Sequence, residues 1–211
     1  MRSSKQYLTA VSLALIATAV SAAHVDLKDP RRALGREGDI RVDASLTQAN
    51  ISASSPLSVT YQIQNLSLAA IAFADKVSDA SWDADSQTIT LSLGAEIPPG
   101  STMPRLVVIQ PGEKRVFCGG AMVSVAIPPA HTPWTRVPRF VQIKVNILRN
   151  VTPFAELIAQ QSQSATAPAL PNDMFDRWVD SNDAVYLNPI PVRWSADRPR
   201  ITAENNSGGS F

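Results

Sequence analysis

The chain has 211 residues, 45% of them hydrophobic, with 19 Lys and Arg against 18 Asp and Glu for a net charge of +1. That length and apolar content suit one folded domain with appendages, and a charge this close to zero excludes an electrostatic case for nucleic acid or an anionic membrane surface as partner. One cysteine, Cys118, excludes an internal disulfide framework.

Residues 1–23 begin with Arg2 and Lys5, continue through an apolar run from Tyr7 to Val20 and close on Ser21-Ala22-Ala23. Charged, apolar and small-residue regions in that order read as a secretory signal peptide, so the mature protein is expected in the periplasm or secreted. Cleavage is permitted after Ala22 or after Ala23. The apolar run is shorter than the ~20 residues of a membrane span, and no later run approaches that length, so no membrane insertion of the mature chain is expected. After removal of residues 1–23 the mature chain has 188 residues, with 17 Lys and Arg against 18 Asp and Glu.

Residues 24–38 form an N-terminal segment without clear periodicity. From Ile40 the pattern changes: Ile40, Val42, Ala44 and Leu46 alternate with Arg41, Asp43 and Ser45, as in a half-buried strand. "LSVTYQIQN" repeats this most clearly, with Leu57, Val59, Tyr61 and Ile63 on one face. "AAIAFADKV", "SQTITLSL", "RLVVIQ", "AMVSVAI" and "RFVQIKVNIL" follow at short spacing. Seven strands separated by polar turns, with no helical pattern between them, predict an all-β fold: an immunoglobulin-like antiparallel β-sandwich of about seven strands over residues 39–157. "EIPPG" and "AIPPA" each end a strand, because proline cannot donate to the ladder.

"IAQQSQSATAPALP" is a Gln/Ser/Ala/Pro run, and residues 158–171 read as a linker. In "NDMFDRWVD", Asn172 or Asp173 stands where an N-cap would, and Phe175, Trp178 and Val179 recur at helical spacing. Residues 172–195 are therefore expected as a short C-terminal helix and an edge strand docked on the sandwich, Pro189 and Pro191 confining that strand to an edge. Residues 196–211, ending "ENNSGGSF", read as a disordered tail.

Two histidines exist, His24 and His131. Cleavage after Ala23 would make His24 the first residue, and its α-amine and imidazole, joined by a second imidazole from His131, form the tetragonal nitrogen set that suits copper(II). This set resembles the histidine brace of lytic polysaccharide monooxygenases and the copper site of CopC-like carriers, whose folds are immunoglobulin-like sandwiches. The resemblance implies a copper carrier or an oxidative enzyme. It covers His24, His131 and the fold class alone; Val25 replaces a glycine-rich opening, and no Asp-x-His precedes the tail.

Other residues carry weaker chemistry. Cys118, between Phe117 and Gly119, reads as a buried small hydrophobe. Asp75, Asp79, Asp83 and Asp85 gather around Trp82 but lack the Gly and terminal Glu of an EF-hand loop, so a solvated turn is expected. Asn-x-Ser/Thr sites lie at Asn50, Asn65, Asn150 and Asn205. Trp134 and Arg136, near His131, form a candidate contact patch. No nucleophile motif or phosphate loop appears. The expected function is therefore binding of a protein partner through loops or a free strand edge, without catalysis or cofactor, with copper binding at His24 and His131 as the alternative.

Overall fold

The computed structural model describes residues 29–75, 78–94, 102–126, 136–163 and 170–195. In chain order they form β1 (Arg32–Glu37), β2 (Ile40–Leu46), β3 (Asn50–Ile51), β4 (Pro56–Asn65), β5 (Ile71–Ala74), β6 (Ser78–Asp83), β7 (Thr88–Leu93), β8 (Leu106–Ile109) and β9 (Lys114–Met122). After the single helical turn α1 (Val123–Ala126) come β10 (Phe140–Leu148), a 3₁₀ turn (Thr152–Phe154), α2 (Ala155–Gln163), α3 (Asn172–Ser181), β11 (Asn182–Tyr186), β12 (Ile190–Pro191) and β13 (Arg193–Trp194).

Strands with strict alternation form as expected. In β2 and β4, Val42, Ala44, Val59, Tyr61 and Ile63 are buried while their sequence neighbours are not, because the pleat sends successive side chains to opposite faces. One antiparallel sheet runs β1-β2-β4-β9 and the facing sheet runs β6-β7-β10-β5-β8. β11 and β12 pair antiparallel with β10 in that second sheet. Tyr61, Phe73 and Phe117 stitch the two inner faces together, with ring centroids 5.0 to 5.7 Å apart. The molecule is thus mostly β, in a sandwich-like arrangement.

The structure departs from the sequence pattern in several places. The sheets are not wholly antiparallel: β10 pairs parallel with β7, Val141 opposite Ile89, and β13 pairs parallel with β3. The sandwich begins inside the 24–38 segment, where β1 forms a hairpin with β2 through Gly38-Asp39. Gly38 takes the φ of +54° that the first central position of a II′ turn demands. "AMVSVAI" is not a separate strand; β9 ends at Met122 and the chain turns helical at Val123. Part of the expected linker 158–171 belongs to α2. "SDASWD", within the acidic stretch, is a strand paired with β7.

At one corner a second core forms on the outer face of the second sheet. Ala72, Ala74, Leu106 and Leu148 there meet Phe154, Leu170 and Trp178, so the end of β10 is buried on both faces. α3 occupies the residues expected of the C-terminal helix, although Pro171 rather than a polar side chain stands at its N-cap. Trp178 is its anchor, edge-on to Phe154 at 5.5 Å and 81°. Its indole Nε1 is buried and has no hydrogen-bond partner among the described residues. Trp178→Ala is therefore expected to lose about 3–5 kcal/mol, whereas Trp178→Phe, which discards that unpaired donor, stays within about 1.5 kcal/mol of wild type. Urea unfolding followed by circular dichroism separates the two outcomes.

Candidate functional site

Of the residues singled out by sequence, His24, His131 and Trp134 lie outside the described residues, so the copper pair is not placed. Arg136 is described: its Nη1 donates to Asp85 Oδ1 at 2.6 Å and to the Ala84 carbonyl at 3.3 Å, at the tip of the β6–β7 hairpin. Both side chains of this ion pair are exposed, so it contributes at most about 1 kcal/mol. Asp83 organises the same turn, accepting from the Asp85 N–H and the Ser86 hydroxyl; those bonds, the Ser86 one first, lower its carboxyl below the usual range. Among the described residues no three His, Cys, Asp or Glu side chains gather as a metal site.

Cys118 corrects another expectation: it is exposed. Register explains why. Thr60 stands opposite Cys118 and Tyr61 opposite Phe117, so Phe117 shares the buried face of Tyr61 and Cys118 the outer face of Thr60. The Cys118 thiol lies 3.7 Å from the Thr60 hydroxyl.

The same register shows which backbone groups of β9 face away from the sheet. The Asn65 N–H donates to the Glu113 carbonyl opposite it and the Val123 N–H to Ser55, so in this antiparallel ladder the odd-numbered residues of β9 bond to β4. The N–H and C=O groups of Lys114, Val116, Cys118, Gly120 and Met122 point outward. The Gly120 carbonyl accepts the Ser78 hydroxyl of β6 at 2.6 Å. Among the described residues, none from another strand pairs with Lys114, Val116 and Cys118 on that side.

The outer edges of β1 and β8 are covered. On β1 the Leu34 carbonyl accepts the Asn188 N–H at 3.1 Å, and a Cβ on Gly35 would lie 2.7 Å from the Tyr186 carbonyl, so this edge abuts the end of β11. On β8 the side-chain amide of Gln161 imitates a missing strand, accepting from the Leu106 N–H at 3.1 Å and donating to the Pro104 carbonyl at 2.7 Å. β6 lies beside α1 and the end of β9. Among the described residues, the first half of β9 is the edge of the first sheet that nothing pairs with or abuts.

Its chemistry is mixed. Val116 is 65% exposed and Met122 41% exposed on the outer face. A shallow hollow of about 330 Å³, lined by Pro56, Ser58, Gly120 and Met122 among others, lies just past Cys118. Glu113 accepts the Gln110 N–H and the Arg115 guanidinium, and these bonds hold its carboxyl below the usual glutamate range. Arg115 is thereby neutralised, and Lys114 supplies the cation at the start of the edge. Behind it, burial first, then Asp75 and Cys118, raises the Tyr61 phenol above the usual tyrosine range, so it is neutral in the core.

Sequence reasoning missed this edge because β9 reads "KRVFCGGAM", with two charges and two glycines breaking the alternation. Comparison with protein families, curated proteins and solved structures finds no match for the chain. Among the described residues no helix is long and apolar enough to cross a membrane.

Proposed function

We propose that this is an exported, non-enzymatic protein that binds another protein by accepting an extended segment of it on the free edge of β9. The observation that carries this reading is the row of outward N–H and C=O groups on Lys114, Val116 and Cys118, unpaired among the described residues, on a sandwich whose β1 and β8 edges are covered. Unpaired strand edges are templates for another strand, and proteins that do not use them shield them. Here main-chain bonds would supply affinity. Val116 on the outer face and the hollow beside Met122 would select apolar side chains in the incoming segment, and Lys114 an acidic one. Export rests on the charge-apolar-small order of residues 1–23. An immunoglobulin-like topology belongs to the same proposal: two facing sheets with short polar connections support it, and the parallel β7–β10 pair marks where it departs from a purely antiparallel order.

The test is Val116→Pro combined with site-specific photocrosslinking. The Val116 N–H faces away from β4, so proline there removes an outward donor and spares the internal ladder. A photoreactive residue at Lys114 is expected to capture a partner protein from the exported fraction, while one at Asp176 on α3 captures none. Val116→Pro is expected to abolish capture while thermal unfolding stays near wild type. Capture that survives Val116→Pro overturns the proposal, as does a crosslink from Lys114 only to a second copy of the chain.

A further inference from the structure

A second site, independent of the β9 edge, lies on the outer face of β1–β2. Three arginines and one aspartate share that face: Arg32, Arg36 and Arg41, with Asp43. Arg32 takes the whole of Asp43, its Nε donating to Oδ1 at 2.6 Å and its Nη2 to Oδ2. The Arg32 side chain is only 9% exposed, so this bidentate pair is fixed and both Asp43 oxygens are engaged. Arg36 and Arg41 are left without a carboxylate partner among the described residues. Arg36 is steadied through its Nε, which donates to the Gly38 carbonyl at 2.9 Å, and its terminal nitrogens have no bond to another described residue. Glu37 occupies the opposite face of the strand and Asp39 the turn; neither bonds to either arginine.

Arg36 and Arg41 are direct cross-strand partners. The Leu46 N–H donates to the Arg31 carbonyl, so Ala33–Ala44, Gly35–Val42 and Glu37–Ile40 are the bonded pairs and Arg36–Arg41 is a non-bonded one, the closer type, with Cβ atoms about 4.5–5.5 Å apart. Like charges opposite each other oppose pairing of the strands. Beside them is a shallow, largely open depression of about 410 Å³, lined by Leu34, Gly35, Arg36 and Arg41. Two arginines, a nearby apolar side chain and room for several non-hydrogen atoms thus border one depression.

We propose that this depression binds a phosphate monoester. A planar carboxylate satisfies one fork, whereas a tetrahedral phosphate offers three terminal oxygens, enough for both, with a charge near −2 that matches two arginines. Leu34 and the backbone of Gly35 leave space for the organic part of the ester. Binding relieves the repulsion between the two arginines, so the ligand also stabilises the hairpin.

The experiment uses the purified full chain, with glycerol 3-phosphate as the monoester, dimethyl phosphate as a diester and acetate as a carboxylate, followed by calorimetry and thermal unfolding. Glycerol 3-phosphate is expected to bind and to raise the melting temperature. Arg36→Gln and Arg41→Gln are each expected to weaken binding about tenfold or more, because each removes charge-assisted hydrogen bonds. Arg41→Lys keeps the charge but not the fork and is expected to fall between wild type and Arg41→Gln. Both positions are exposed, so folding persists, and Arg136→Gln at the far hairpin leaves binding unchanged. The proposal is overturned if glycerol 3-phosphate fails to bind at millimolar concentration, if Arg36→Gln and Arg41→Gln bind it as wild type does, or if acetate or the diester binds equally well. No partner protein enters this test, so its failure leaves the β9 proposal standing, and the reverse.

Discussion

Gly120→Ala is expected to destabilise the protein by about 3 kcal/mol or more, enough to consume a large part of a typical domain's stability. A Cβ at this position would lie 2.2 Å from the Leu57 carbonyl oxygen and 3.1 Å from both the Leu57 carbonyl carbon and the Ser58 Cα. All three are backbone atoms of β4, so no rotamer change relieves the clash. β4 and β9 must separate locally, and the Leu57–Ala121 and Val59–Gly119 pairs beside it are disturbed. Gly112 is the control. It has φ +76° and nothing within 4 Å, so Gly112→Ala meets only the left-handed strain, about 1–2 kcal/mol. Chemical unfolding of both variants isolates the steric contribution, and a Gly120→Ala protein as stable as Gly112→Ala would refute the close approach of the two strands.

Asn65→Ala is expected to cost about 3 kcal/mol. Asn65 is fully buried at the end of β4, and its side chain bonds in every direction. Nδ2 donates to the carbonyls of Ala69 at 2.8 Å and Ile109 at 3.0 Å, while Oδ1 accepts the Ser67 N–H at 3.0 Å and the Ser67 hydroxyl at 2.7 Å. One amide thereby fastens the first sheet to β8 and shapes the 66–70 loop. Truncation leaves buried polar groups with fewer partners than they need, each worth about 1–3 kcal/mol when unsatisfied. Asn65→Asp adds a pH signature. Burial and two facing carbonyls disfavour the carboxylate, so the folded-state pKa rises above the unfolded value near 4. Such a variant is most nearly native below about pH 4 and loses stability as the pH rises from there toward its folded pKa. A pH series of unfolding midpoints, against wild type, reads this directly; a flat difference would contradict the burial of Asn65.

Asn65 also shows how a sequence pattern can point to the wrong property. Asn65-Leu66-Ser67 reads as a glycosylation site, yet in the fold the Asn and the Ser bond to each other and the amide is buried. Strands buried on one face were legible because alternation is imposed by the pleat: β2, β4 and β7 follow it, and β10 does as far as Val145, beyond which both its faces are buried. Of the strands that escaped notice, β1, β6 and β9 lie at sheet edges and β3 is only two residues long. Side chains at these edges meet turns, helices or solvent, and Gly35 and Gly120 stand where backbones approach closely, while Gly119 leaves room for the Leu93 and Tyr61 side chains. α2 was obscured by its Gln and Ser content, although Gln161 is the residue that covers the β8 edge. Of the two sites, Arg36 and Arg41 were present as charges, but their pairing depends on a two-residue turn at Gly38-Asp39, and the open β9 edge depends on the order of strands. The β9 edge is a property of strand order, which no local window contains, whereas the arginine pairing follows once the Gly38-Asp39 turn is recognised.

β10 has a temporal consequence. Its neighbours come from both directions along the chain: in register β7 precedes it by 52 residues and β5 by 76, and β11 and β12 arrive only with Asn182–Pro191. Closing these loops is an entropic burden that must be met before any of the pairs can form, so folding of this sandwich belongs to the slow, non-local class, milliseconds to seconds rather than microseconds. A nascent chain that has not yet reached Pro191 lacks one flank of its central strand. The native sheet is consequently an event of the completed polypeptide, and a chain ending before Asn182 should accumulate as a partly paired, aggregation-prone species.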